Sequence, residues 1–100
     1  MIKRMKVNIC GIPHKIISAK DNFDYDVHFG QIDYKKCEIT VNEDLSAAAR
    51  EETICHEIIH GILIHIGRED LSNDERLVQS LANAINQSFD IRIMDEQEGK

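Results

Sequence analysis

His56-Glu57-Ile58-Ile59-His60 is the stretch of this chain whose residue types and spacing add up to a reaction centre. The pattern is HExxH. On a helix, residues four apart lie about 40° apart around the axis, so His56 and His60 project side by side. Two imidazoles in that arrangement can hold one Zn²⁺ at about 2.0–2.1 Å each. Glu57 is turned about 100° from His56. A carboxylate there does not bind the ion but faces the attacking water, takes its proton and later delivers it to the leaving amine. Without an ion, two His and a Glu would be awkwardly buried in so apolar a helix.

A catalytic zinc site needs a third protein ligand and an open position. His65 lies nine residues after His56, about 180° around the same helix, and points elsewhere. It is better placed as a cation at the helix C-terminus. The extended pattern HExxHxxGxxH is excluded, because Leu63 and Ile66 stand where Gly and His would be required. His14 and His28 have no matching spacing. Glu75 remains, at one edge of the apolar stripe of a second helix. A short connection, Gly67–Ser72, would fold that helix back and bring Glu75 towards the His pair. The residues also allow another role, since Ser72-Asn73-Asp74-Glu75 has capping-box spacing, with Glu75 reaching back to the Ser72 backbone. Asp70 and Asp74 are fallback carboxylates.

These side chains have to be positioned by a small number of elements. Lys6–Ile9 alternates apolar and polar residues and leads into a turn signal at Gly11-Ile12-Pro13. Lys15–Ala19 is a second short apolar run, and Asp21-Asn22 reads as a turn. Val27–Tyr34 reads as a strand with Gly30 as a bulge or bend. Cys37–Val41 is the clearest strand. A first helix is expected from the Ser46 N-cap to about Ile66, stopped by Gly67. Ile54, Ile58, Ile59, Ile62, Leu63 and Ile64 cover most of its circumference, which marks a buried helix. A second helix is expected from Asn73 to about Phe89, with a stripe of Leu77, Val78, Leu81, Ala82, Ile85 and Phe89. The sum is a single α+β domain over 1–100. It has a strand-rich part (1–45), two helices (46–90) and a charged, frayed tail (91–100, most clearly from Asp95). A small antiparallel or mixed sheet packs on the HExxH helix, and the C-terminal helix closes the metal site.

Composition restricts the function. The chain has 100 residues, 42% of them apolar and 30% charged, with no Trp, so its core is aliphatic and modest in size. Metal binding would add noticeably to its stability. The net charge of −6 argues against coating nucleic acid. The charge is uneven. Residues 1–20 carry five Lys/Arg and no acid, whereas the other 80 hold seven Lys/Arg against all 18 acids. No apolar run is long enough to span a bilayer, and the basic start is broken by Asn8, Gly11 and Pro13, so neither membrane nor export is indicated. Cys10, Cys37 and Cys55 form no CxxC pair, which suits buried structural thiols in a reducing cytoplasm.

His56–His60, followed by Glu75-Arg76-Leu77-Val78-Gln79-Ser80-Leu81-Ala82, resembles the ImmA/IrrE-type metallopeptidases of phages and mobile elements, a gluzincin-like pattern. The likeness spans roughly residues 30–90. It implies that Glu75 is the third zinc ligand, beside His56 and His60, with Glu57 as the catalytic base. It also implies a regulatory zinc endopeptidase acting on a repressor-type protein. Val78 stands where the family has a small residue and Leu81 where it has an aromatic one, and no Leu-Leu-x-Pro follows. In HExxH peptidases the strand before the motif helix can pair with an extended peptide. Glu38–Val41 is the candidate for such an edge, an ordinary sheet strand being the other reading, and Tyr34 or Tyr25 is the candidate to stabilise the oxyanion.

Two other functions compete. One is a non-catalytic zinc-stabilised interaction module, such as an anti-repressor that binds without cutting. The other is a metal-dependent ribonuclease, because His60–Gly67 faintly resembles the HGxLHLxG motif of YbeY-like endoribonucleases. In that motif the second His falls at i+4, whereas His65 falls at i+5, and no third His follows Gly67. Two imidazoles and a carboxylate favour Zn²⁺ over Mn²⁺, Fe²⁺ or Co²⁺.

Overall fold

Alternating Val7 and Ile9 bury one side of β1 (Met5–Ile9). The chain then reverses through Cys10 (φ 52°) and Gly11 (φ 83°) into β2 (Ile12–Ala19), with Ile9 opposite Ile12. Two consecutive left-handed residues make the primed turn that matches strand twist. The turn therefore sits one residue earlier than the Gly11-Ile12-Pro13 signal, and Pro13 is already a strand residue paired with Asn8. Its missing N–H costs nothing on the other side, where pairing begins only at Lys15. These features come from a computed structural model, which describes residues 5–20 and 29–95. The expected turn at Asp21-Asn22 lies outside the described residues.

Three more strands complete a mixed sheet: β3 (Gly30–Asp33), β4 (Glu38–Asn42) and β5 (Met94–Asp95). The order is β3-β4-β2-β1-β5. β2 and β4 run parallel, with Ile16 beside Ile39, and the other pairings are antiparallel. The fold is α+β, as expected from the sequence. The expectation that Glu38–Val41 offers a free edge is corrected. β4 is hydrogen-bonded on both sides, and its Ile39 and Val41 are fully buried. Two-sided pairing satisfies its backbone and leaves it nothing to offer a peptide. Among the described residues the edge beside β4 is β3.

Gly30 is no bulge, since it pairs regularly with Val41. Its reason is proximity. A Cβ there would lie 2.7 Å from Thr53 Cγ2 and 2.8 Å from the Thr40 carbonyl oxygen. Glycine lets the strand lie directly against the motif helix.

That helix, α1 (Ala47–His65), starts where expected, with Ser46 Oγ accepting from Ala49 N at 3.2 Å. It ends in a Schellman turn, in which Arg68 N donates to Leu63 O (2.8 Å), Gly67 N donates to Ile64 O (3.1 Å), and Gly67 is left-handed (φ 84°). The second half differs from expectation. Asn73 does not open a long helix. A single turn, α2 (Glu69–Ser72), precedes α3 (Glu75–Ser88). Asp74 caps α3 by accepting from Leu77 N at 3.1 Å. Phe89 is the extended C-cap and 67% exposed, and Leu81 is about a third exposed (37%), so only Val78 and Ala82 of the expected stripe are fully buried.

α1 is the middle layer. Ile54 and Ile58 pack on Val7, Ile9, Ile16 and Ile39 of the sheet. Cys55, Ile59 and Leu63 pack on Val78 and Ala82 of α3. This two-sided burial is what an all-round apolar helix predicts. The presumed tail also needs correction. Ile91 and Ile93 pack on the sheet side of the core, and Met94 and Asp95 pair with Lys6 and Met5. Apolar residues at 91 and 93 make that segment a strand approach rather than a frayed end. Residues 96–100 lie outside the described residues.

Candidate metal centre

The one-turn spacing of His56 and His60 on α1 puts their rings edge to face, with centroids 4.9 Å apart and planes at 62°. His60 is buried and His56 half-buried. The Schellman turn and α2 reverse the chain, so α3 begins beside the two rings. Glu75 is its first residue. One Glu75 oxygen lies 3.1 Å from His56 Nε2, and the other lies 3.1 Å from His60 Nε2. The capping-box alternative is not what forms. Asp74 takes the capping role, and the Ser72 hydroxyl lies 2.8 Å from His60 Nδ1, leaving the Glu75 carboxylate to face the imidazoles.

The donor set fits a divalent cation. One ligand atom from each of His56, His60 and Glu75 falls within 4.8 Å of the others. Ligands around a tetrahedral ion with bonds of about 2.0–2.1 Å stand roughly 3.3 Å apart, close to the 3.1 Å between each Nε2 and its nearer Glu75 oxygen. Two nitrogens and one carboxylate oxygen are the donors of a catalytic rather than a closed structural zinc site. The Glu75 side chain is 68% exposed, so the cluster opens to solvent on that side. It opens into a cleft of about 790 Å³, walled by Gly30 and Ile32 of β3, Tyr34, and His56, Glu57 and His60 of α1.

Glu57 is buried in the wall of this cleft. Burial pushes its carboxyl up to about 7, His56 opposes the shift, and the Glu75 charge adds to it. A carboxyl near neutrality is suited to taking up a proton and releasing it again. Tyr34 sits in the turn after β3, where Asp33 Oδ1 accepts from the backbone N–H groups of Lys35 and Lys36 at 3.0 Å each. Burial raises its phenol above the ordinary range, hydrogen bonding with Ser72 opposes this, and Glu57, Glu75 and Glu69 raise it further. The phenol therefore stays protonated as a hydrogen-bond donor.

The remaining candidates lie elsewhere. His14 is buried in β2 and donates from Nδ1 to the Ile12 carbonyl at 2.8 Å. His65 is exposed at the end of α1. Asp70 pairs with Arg68 at 2.9–3.0 Å, and Asp74 is the cap, so both fallback carboxylates are engaged. Tyr25 and His28 lie outside the described residues. Of the cysteines only Cys55 is buried. Cys10 is exposed and Cys37 half-buried, because both occupy left-handed turn positions. Sequence reasoning missed Gln79, whose amide oxygen lies 2.7 Å from His56 Nδ1. Its signal was its place four residues after Glu75, on the same face of α3.

No family model, curated protein or solved structure matches this chain. Among the described residues, no helix is long and apolar enough to cross a membrane.

Proposed function

We propose that this chain is a zinc-dependent endopeptidase of the ImmA/IrrE type, a regulatory protease acting on a repressor-type protein in a reducing cytoplasm. One observation carries the reading. Two imidazole nitrogens and the Glu75 carboxylate converge at 3.1 Å on the floor of an open cleft, with the buried Glu57 carboxyl in its wall. His56, His60 and Glu75 would hold the zinc. The bound ion supplies Lewis-acid chemistry, making water nucleophilic near neutral pH and polarising the scissile carbonyl. Glu57 takes the proton from the attacking water and passes it to the leaving amine. The Tyr34 phenol donates to the carbonyl oxygen as charge develops there. The unpaired thiols, one of them exposed, fit a reducing compartment.

Substrate binding is assigned to β3 in place of β4. Asn42 N donates to Phe29 O at 2.8 Å, and the register runs Gly30–Val41, Gln31–Thr40, Ile32–Ile39. Antiparallel alternation therefore turns the backbone groups of Gly30 and Ile32 away from β4. An extended peptide paired with them lies in the cleft beside His56 and Glu57.

The test is metal analysis and proteolysis of casein and of a quenched-fluorescence peptide library. Wild type is expected to bind one equivalent of zinc and to cleave. Glu57→Gln should keep the zinc and lose cleavage by about 10²–10⁴-fold, since it removes the base and no ligand. His60→Ala and Glu75→Ala should hold almost no zinc. Full-rate cleavage by Glu57→Gln would eliminate the mechanism. Tight zinc in both proteins without cleavage by either would favour the non-catalytic module.

A further inference from the structure

The imidazoles that face Glu75 are also held from behind. His56 Nδ1 lies 2.7 Å from Gln79 Oε1, and His60 Nδ1 lies 2.8 Å from Ser72 Oγ. The Gln79 amide is itself oriented. Its nitrogen donates to Asn83 Oδ1 at 2.9 Å and to Glu52 Oε1 at 3.4 Å, which leaves the oxygen turned to the ring. An amide oxygen only accepts, so His56 Nδ1 must carry the proton. A neutral imidazole has one N–H, and with it on Nδ1 the lone pair lies on Nε2, the atom 3.1 Å from Glu75. A bare lone pair facing a carboxylate oxygen at that distance is repulsive unless a proton or a metal cation lies between them.

We propose that Gln79 and Ser72 are positioning residues that hold His56 and His60 as Nδ1–H tautomers, leaving both Nε2 atoms free for a divalent cation shared with Glu75. The proposal rests on the zinc reading above and deepens it. Ser72, Glu75 and Gln79 follow at intervals of three and four across the α2–α3 junction. One short segment thus supplies the third ligand together with the side-chain oxygen behind each imidazole of α1. The ligand His residues of zinc sites depend on such partners for tautomer and ring orientation. In this chain the segment carrying Glu75 provides them.

The experiment combines zinc affinity, from competition with a chromophoric chelator, with two-bond ¹H–¹⁵N spectra of the metal-free full chain, which report the ring nitrogen that carries the proton. In wild type, His56 and His60 should both carry the proton on Nδ1. Gln79→Leu should weaken zinc binding by about 10–100-fold and release His56 into a tautomer mixture, leaving His60 unchanged. Ser72→Ala should do the reverse. Gln79→Glu, which keeps an acceptor oxygen at the same reach, should restore both the affinity and the Nδ1–H signal, an outcome that a purely structural role for Gln79 does not require. Wild-type His56 with its proton on Nε2 overturns the proposal, even if Gln79→Leu fails to fold. So does a folded Gln79→Leu that binds zinc as tightly as wild type. Wild type with the Nδ1–H tautomers but without zinc affinity leaves the positioning assignment standing and sinks the zinc reading instead.

Discussion

Four consecutive residues, Ser72-Asn73-Asp74-Glu75, show how finely a residue's role depends on register. A helix starting at Asn73 would make Ser72 the cap and tie Glu75 back to it. The actual start, one turn of α2 followed by α3, gives the cap to Asp74 and frees Ser72 and Glu75 for the rings. Asp74→Ala should cost about 1 kcal/mol in urea unfolding, the usual loss for an N-cap. It should also weaken zinc binding, because Glu75 is the first residue of the turn that Asp74 holds. Unchanged zinc affinity in a destabilised Asp74→Ala would show that Glu75 is positioned by other contacts.

At the scale of elements, three pieces meet at the cleft: α1 brings the imidazoles and the Glu57 carboxyl, α3 brings the Glu75 carboxylate, and β3 brings a strand. Gly30 joins β3 to α1. Gly30→Ala puts a Cβ 2.8 Å from the Thr40 carbonyl, which is backbone of the paired strand and cannot rotate away. The expected cost is about 1–3 kcal/mol, typical of overpacking. Because the proposed zinc ligands come from α1 and α3, the substitution should impair cleavage while leaving zinc stoichiometry at one equivalent. Loss of zinc in a folded Gly30→Ala would mean that the metal centre depends on β3 as well. Gly67 acts at the other junction. Gly67→Ala forces a side chain into the left-handed position that ends α1 (φ 84°) and should cost about 1 kcal/mol by thermal unfolding.

For the molecule as a whole, a bound metal would be coupled to the fold. α3 packs on α1 through Val78 and Ala82, and the ligand set bridges the same two helices, so an ion there binds the native arrangement only. Zinc at about 100 times its dissociation constant should add about 2.7 kcal/mol. At about 4–8 °C per kcal/mol for a domain of this size, the midpoint should rise by roughly 10–20 °C. EDTA should reverse the rise, and Glu75→Ala should not show it. A wild-type midpoint indifferent to both zinc and EDTA would sever the coupling.

What the amino-acid order determined by itself is local. The HExxH pair, the Ser46 cap, the Gly67 stop and the all-round apolar α1 each depend on residues within a turn or two, where helical geometry alone sets who faces whom. The tertiary structure decided what lies between segments far apart in the chain. It made β4 an interior strand and, among the described residues, β3 the edge, because a parallel β2–β4 pairing cannot be read from either strand. It seated Ile91–Asp95 on the core and set Gln79 and Ser72 behind the imidazoles. Those relations depend on how whole surfaces pack, and packing complementarity has no period along the chain.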